Sequence, residues 1–278
     1  MTEALAADRL GTVGSLLAAA TAQLPGSPTA RLDAELLLAE VLGVGRERLV
    51  IDRDVAVGEV QRRRFAELVA RRAVHEPVAY LLGRQAFRWL ELAVDPRVLI
   101  PRPETELLVE AGLGLPAGAS VLDVGTGSGA VALALKHERP DLVVRGVDAS
   151  DGAVAVARAN AARLGLDVAF AVGDLLEGAA PVDAVLANLP YIEAGTSLPP
   201  DVAGFEPAGA LYGGPDGLEL IRRLVGSLAG AAWPRMLALE IGSDQGGAVA
   251  VLVADAGFAP VAVRRDLAGL ERVVIGRR

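Results

Sequence analysis

The stretch "VLDVGTGSGAVALALK", Val121–Lys136, decides the fold. An apolar run carrying Asp123 leads into Gly125, Gly127 and Gly129, and an alanine- and leucine-rich segment follows at once. Glycines at such a junction let the backbone approach a ligand closely at the carboxyl edge of a sheet. The same rhythm continues outward. "LVVRGVDAS", Leu142–Ser150, is followed by the helical pattern "AVAVARANAARLG", then by "DVAFAVGDL" and "DAVLANLPY", Asp183–Tyr191. Short β-like runs alternating with helical segments imply a mostly parallel sheet with helices on both faces.

Upstream the pattern is helical from Arg9 to about Gly83. "RLDAELLLAEVLGV" places Leu32, Leu36, Leu37, Val41 and Leu42 at helical spacing, "EVQRRRFAELVARR" repeats the idea, and Pro25-Gly26-Ser27-Pro28 breaks between helices. The character changes at "AFRWLELAVDPRVLIPRPETE", where short β-like runs are punctuated by Pro96, Pro101 and Pro103. The expected organisation is a helical domain over residues 1–84, a β-rich linker over 85–103, and an α/β domain over 104–278.

Composition excludes whole classes of chemistry. Hydrophobic residues make up 52% of the 278 and aromatics only 4%, so Ala, Val and Leu must build the core. Cysteine is absent, and His75 and His137 are the only histidines, which leaves no thiolate chemistry and no histidine-rich metal site. A net charge of -8 weighs against a general nucleic-acid surface, and Arg62-Arg63-Arg64 reads as a solvated helix face. No apolar run approaches the roughly 18 residues of a membrane span. "VGSLLAAATA", Val13–Ala22, follows the acidic Glu3 and Asp8, so it reads as an amphipathic helix rather than a targeting signal, and the protein as cytoplasmic.

Two nucleotide chemistries compete for the glycine loop. Gly125-x-Gly127-x-x-Ala130 fits a dinucleotide fingerprint, and Asp148, ending the next strand, stands where a carboxylate accepts from a ribose diol. Both features suit S-adenosylmethionine equally. Asp123 favours the latter, since a dinucleotide-binding strand is usually apolar there, whereas the ammonium group of S-adenosylmethionine gives a carboxylate something to hold. Asp174 and Leu175 end the third strand, where an acidic residue can take the adenine amine and an apolar neighbour can cover the ring. The fourth strand delivers Asn188-Leu189-Pro190-Tyr191. An sp² nitrogen is a poor nucleophile because its lone pair is delocalised. If the Asn188 oxygen and the Leu189 carbonyl both accept from one NH₂, the nitrogen is oriented and its lone pair partly released, with Tyr191 covering the flat group and Pro190 stiffening the turn. Positioning then does most of the work.

Over nearly its whole length the sequence resembles the protein-(glutamine-N5) methyltransferases that modify the Gly-Gly-Gln motif of peptide chain release factors. The matching blocks are "RLDAELLLAEVLG", "HEPVAYLLG", "VDPRVLIPRPETELLVE", "VLDVGTGSGAVALAL", "VDAS", "NLPYI", "FEPAGALYGGPDGL" and "LEIGSDQG", with "LIPRPETE", Leu99–Glu106, the most specific. The resemblance implies a seven-stranded, Rossmann-like S-adenosylmethionine-dependent methyltransferase domain with a small N-terminal helical domain that helps dock the release factor. It also implies that Gly125, Thr126, Gly127, Ser128, Gly129 and Asp148 bind the cofactor; the reading of the residues themselves adds Asp123, Asp174 and Leu175, and Asn188 is expected to border it as well. Asn188, Leu189, Pro190 and Tyr191 hold the substrate glutamine, with Asn188 and Tyr191 as catalytic residues. No metal, nucleic acid or membrane is implied, and a monomer is expected.

One departure stands out. The family's usual tetrapeptide is Asn-Pro-Pro-Tyr, and here Leu189 occupies the second position; because a backbone carbonyl is used there, the acceptor is expected to survive. Asn-Leu-Pro-Tyr is also found in ribosomal RNA adenine dimethyltransferases, which lack the "LIPRPETE" block. Glu206-Pro207, the run Gly213–Leu218 and Glu240 read either as parts of a substrate mouth or as loop and cap geometry. Arg102 and Glu104 belong to a segment placed either to close over the site or to serve the linker.

Overall fold

A computed structural model of the protein describes residues 11–278; the first ten residues of the expected helical domain, with Glu3, Asp8 and Arg9, lie outside it. The chain divides into two units. Residues up to Gly83 group with Leu198–Phe205, and Arg84–Ser197 group with Glu206–Arg278.

The helical unit contains α1 (Val13–Ala22), α2 (Ala30–Leu42), α3 (Arg46–Ile51), α4 (Glu59–Ala73) and α5 (Val78–Leu82). The Thr12 side chain caps α1 by accepting from the Ser15 backbone N–H at 3.3 Å, and Val13, Leu17 and Ala20 form its buried stripe. The stretch "VGSLLAAATA" is thus an amphipathic helix, as its pattern implies. The stripe of α2 differs from the sequence expectation: Ala34, Leu37 and Leu38 are buried, while Leu32 is exposed. The cause is Asp33. Arg72 of α4 donates to it at 2.7 Å with both side chains 6% exposed, and the Ser27 and Thr29 hydroxyls add donors at 2.7 and 2.8 Å. Partners gathered on that buried carboxylate put the Asp33 position, and not Leu32, on the inner face of the helix. Arg62, Arg63 and Arg64 pair with Glu59 and Glu67 on the surface of α4, a solvated face as expected. Leu198–Phe205, with a helical turn at Pro200–Ala203, lies within the span expected to be catalytic yet clusters here, and Asp201 sits 3.9 Å from Arg72.

The second unit opens with a hairpin of β1 (Arg84–Phe87) and β2 (Leu90–Ala93). The residues read as a linker therefore fold with the sheet-bearing unit. Phe87, Leu90 and Leu92 are buried in its core, and the buried Asn160 clamps Ala93 through both its backbone N–H and its carbonyl, at 2.8 and 3.0 Å. After α6 (Glu106–Leu113) come β3 (Ser120–Val124), α7 (Ala130–Glu138), β4 (Val143–Asp148), α8 (Asp151–Leu164), β5 (Ala169–Val172), β6 (Ala184–Ala187), α9 (Glu219–Ser227), β7 (Met236–Glu240), α10 (Gly246–Asp255), β8 (Val261–Arg265) and β9 (Glu271–Arg277).

The sheet runs β5-β4-β3-β6-β7-β9-β8, with β3 to β7 parallel and β9 antiparallel between β7 and β8. Both faces are covered, and period-two alternation assigns each strand residue to a face. Val121, Val144, Ala184 and Leu186 pack against α6, α7 and α8, whereas Leu122, Val124, Val147, Val185 and Leu237 pack against α9 and α10. Parallel strands with helical crossovers bring the carboxyl ends of β3, β4, β6 and β7 to one edge. Among the described residues no helix is long and apolar enough to cross a membrane.

Candidate active site

That edge opens on a cavity of about 460 Å³, within the range of small-molecule sites. Asp123, Gly125, Thr126, Gly127, Ser128, Asp148, Asp174, Leu175, Asn188, Leu189 and Pro190 line it, together with Arg97–Leu99, Pro101 and Thr105 from the segment before α6. Two of the expected residues do not line it, Gly129 and Tyr191.

The glycine loop shows why its residues are small. Gly125 and Gly127 have φ of 72° and 55°, in the left-handed region that side-chain-bearing residues avoid. A Cβ on Gly125 would stand 3.2 Å from the Asn188 carbonyl oxygen, so the loop and the end of β6 are in close approach. A Cβ on Gly127 would meet nothing within 4 Å, which leaves an open cradle on the cavity side. At Gly129 a Cβ would press to 2.9 Å on Leu133 and 3.1 Å on Phe170, so this glycine serves the packing of α7 on the sheet.

Two carboxylates hold the loop. Asp148 accepts from the Gly127 N–H at 2.8 Å through Oδ2 and from the Ser150 N–H at 2.9 Å through Oδ1, which fixes its plane and leaves further lone pairs toward the cavity. Asp123 is 2% exposed and accepts on Oδ2 from the Thr126 hydroxyl at 2.6 Å and the Ala132 N–H at 3.2 Å. Burial pushes its carboxyl up to about 7, the two donors pull the other way, and the Asp148 charge adds to the rise. On the far side Asp174 pairs with Arg223 at 2.6 Å, and Leu175 is held at φ 53°, a strained conformation for leucine.

Asn188 follows β6 directly and donates from Nδ2 to the Thr105 hydroxyl at 3.1 Å. Leu189 lines the cavity and is also 4% exposed, packed with Val124, Ala187 and Ile241 in one core cluster. Tyr191 packs on the same cluster. Its carbonyl accepts from the Gln245 side chain at 2.9 Å, and burial raises its phenol to about 12, with the Glu240 charge adding to the rise.

Two acidic residues matter more than their sequence surroundings suggested. Glu206 is 6% exposed; it accepts from the Ile100 N–H at 3.1 Å and pairs with Arg102. It therefore pins the "LIPRPETE" segment that forms one wall of the cavity, and Arg102 is part of that anchor. Glu240, at the end of β7, is 2% exposed beside Thr105 and Asn188. Its signal in the sequence was a lone carboxylate closing an otherwise apolar strand.

A seven-stranded sheet with one antiparallel inner strand, a glycine loop after β3 and an acidic residue ending β4 define a Rossmann-like methyltransferase. Residues 103–203 match the family described as Methyltransferase small domain, and residues 15–83 match the PrmC N-terminal domain. The release factor glutamine methyltransferase of Pseudomonas aeruginosa is 45% identical over 266 residues, covering 92% of this chain and 95% of its own. That of Burkholderia pseudomallei is 44% identical over 275 residues, covering 94% and 96%. A methyltransferase structure from Pyrococcus furiosus shares the fold at 18% identity, with a TM-score of 0.54 over 76% of this chain and 98% of its own. The chain belongs to the release factor glutamine methyltransferases.

Proposed function

We propose that the protein transfers a methyl group from S-adenosylmethionine to the side-chain amide nitrogen of the glutamine in the Gly-Gly-Gln motif of a peptide chain release factor. The observation that carries this reading is the position of Asn188. It lines the same cavity as the glycine loop, and with Nδ2 committed to Thr105 its Oδ1 is the end left to accept from a substrate.

The cavity suits the cofactor on its own geometry. The open cradle at Gly127 and the oriented Asp148 would take the ribose and its neighbouring groups, Asp123 with Thr126 and Ser128 would face the amino-acid end, and Asp174 and Leu175 would flank the base. Bound there, S-adenosylmethionine supplies a methyl group made electrophilic by its sulfonium. The chain's own part is to present the nucleophile. Asn188 Oδ1 and the Leu189 carbonyl accept from the glutamine NH₂, aim its lone pair along the transfer path and draw it out of conjugation. Tyr191 and Pro190 shape the turn around the flat amide. The nitrogen sheds its surplus proton to solvent after transfer, so no strong base is needed.

Incubation of a purified release factor with the protein and S-adenosylmethionine, followed by mass spectrometry of the peptide bearing Gly-Gly-Gln, tests the proposal. A single added methyl on the glutamine is expected. Methylation of an adenine-containing RNA oligonucleotide with an unmodified release factor would overturn it, as would calorimetric binding of NAD in place of S-adenosylmethionine.

A further inference from the structure

Glu240 closes β7 after four buried apolar residues, at the edge where β3 and β6 also end. Its side chain is buried, and Oε2 has no hydrogen-bond partner. A carboxylate at that depth is costly, and it persists only where neighbours favour it. Thr105 and Asn188 lie against it as hydrogen-bonding side chains; Glu104 faces it as a like charge, Arg272 as an opposite one, and the Tyr191 phenol stands within its field.

Proton counting then fixes the direction of the contacts. An ionised carboxylate only accepts, and a threonine hydroxyl has one proton to give. Thr105 therefore donates to Glu240 and accepts from Asn188, whose Nδ2 stands 3.1 Å from Oγ1. Without the carboxylate, Thr105 is free to donate to the asparagine oxygen instead, and the amide has no reason to prefer one face over its flipped form. We infer that Glu240 is a positioning residue for methyl transfer, acting through Thr105 and on the Asn188 NH₂ directly to hold that amide with its nitrogen inward and its oxygen available to the substrate NH₂. The inference rests on the reading that Asn188 holds the substrate amide. It adds two residues to the machinery, one from the "LIPRPETE" segment and one from "LEIG", neither of which needs to touch the substrate.

The arrangement is sensitive to protonation. Burial pushes Glu240 up to about 7 from an ordinary 4.5; Thr105, Arg272 and Asn188 oppose the rise and Glu104 adds to it. A protonated Glu240 becomes a donor, releases Thr105 from its role and lets Asn188 turn its NH₂ toward the substrate NH₂, where two donors repel.

Asn160 and Asn188 are the chain's two asparagines, so protein labelled with ¹⁵N only at asparagine gives two side-chain amide pairs, one of them a built-in control. In Glu240→Gln the Asn188 pair should move while the Asn160 pair, held by Ala93 and Ser128, stays in place. The same variant should lower kcat about 10–100-fold, the scale on which an outer partner orienting a ligating side chain acts. KM for the release factor and Kd for S-adenosylmethionine should stay within a few-fold. The parent's kcat should fall below about pH 7, and that fall should flatten in the variant. Thr105→Val should behave alike, and Thr105→Ser should restore turnover. Thermal melting certifies that each variant is folded. Unmoved Asn188 signals in folded Glu240→Gln overturn the inference, as does parental kcat in that variant beside a large loss in Asn188→Ala. Parental turnover in Asn188→Ala itself overturns the substrate-holding reading, and the positioning role with it.

Discussion

At the β3–β4 end of the cavity the two carboxylates, Asp123 and Asp148, are fixed by backbone amides of Ala132, Gly127 and Ser150 and by the hydroxyl of Thr126 within the same loop, whereas at the β6–β7 end Asn188 is fixed by the distant Thr105 side chain. The first arrangement forms whenever the βα turns form, because the donors are part of the chain that makes those turns. The second needs residues 83 positions apart to meet. An end held by contacts within its own βα turns keeps its shape as long as the fold lasts, while an end held by a distant side chain can be dismantled with the fold intact. Mutations should therefore separate binding from turnover.

The largest effect should come from the side-chain end. Asn188→Ala is expected to cost about 10²–10³ in kcat, the usual penalty for one preorganised contact at a reacting centre. Cofactor affinity should change little, and single-turnover methylation beside a cofactor titration reads both numbers. At the backbone end the pattern should reverse. If Asp148 accepts from the ribose hydroxyls as proposed, Asp148→Ala removes those acceptors, at about 1.5–3 kcal/mol for each hydrogen bond to a charged group, so the Kd for S-adenosylmethionine should rise at least about tenfold. An unchanged Kd by calorimetry would remove Asp148 from the cofactor half.

A smaller effect lies in stability against pH. The folded-state value of Asp123, about 7, is above its ordinary 3.8, so the folded protein holds a proton that the unfolded chain has released. Stability from this group is full below about pH 4 and is lost as pH rises toward 7. Thermal melts of the ligand-free protein should show Asp123→Asn with a shallower decline between about pH 4 and 7 than the parent; an unaltered slope would mean that the charged form is tolerated. The smallest effect on activity is expected for Leu189→Pro, with kcat within a few-fold of the parent, since only the carbonyl is assigned to the substrate. Its melting temperature should nonetheless fall, because the leucine packs in the core and loses part of the ~2–5 kcal/mol at stake for such a residue. A collapse of kcat in folded protein would give the leucine side chain a part in the pocket.

The same contrast explains what could be read before the structure. The glycine loop, the parallel strands and Asp148 were legible because each is a local pattern: apolar run, glycines, helix, and an acidic residue ending the next strand. The place of Asn188 on the cavity was legible because an amide after four apolar residues has no packing purpose. Glu206 and Glu240 were not assigned, since their meaning lies in what they meet: Ile100 and Arg102 for one, Thr105 and Asn188 for the other. Tyr191 was expected to cover the substrate amide; its half-buried ring packs against the core cluster and does not line the cavity. The face of α2 was misjudged at Leu32 because periodicity counts apolar residues and cannot know that Arg72 draws Asp33 inward.

The strand order also has a consequence for synthesis. β9 is the last strand in the chain order and takes an inner place, paired with β7 on one side and β8 on the other. As the polypeptide leaves the ribosome, β3, β4, β5 and β6 can pair and close the glycine loop while β7 still presents a bare apolar edge from Met236 to Glu240. Such an edge is an invitation to wrong pairing until Glu271–Arg277 arrives. Val273 of that late strand is the register partner of Glu240. The pairing of β3 with β4 and β6 that frames the glycine loop needs only earlier strands, whereas the edge beside Glu240 stays open until the chain's last strand has been made.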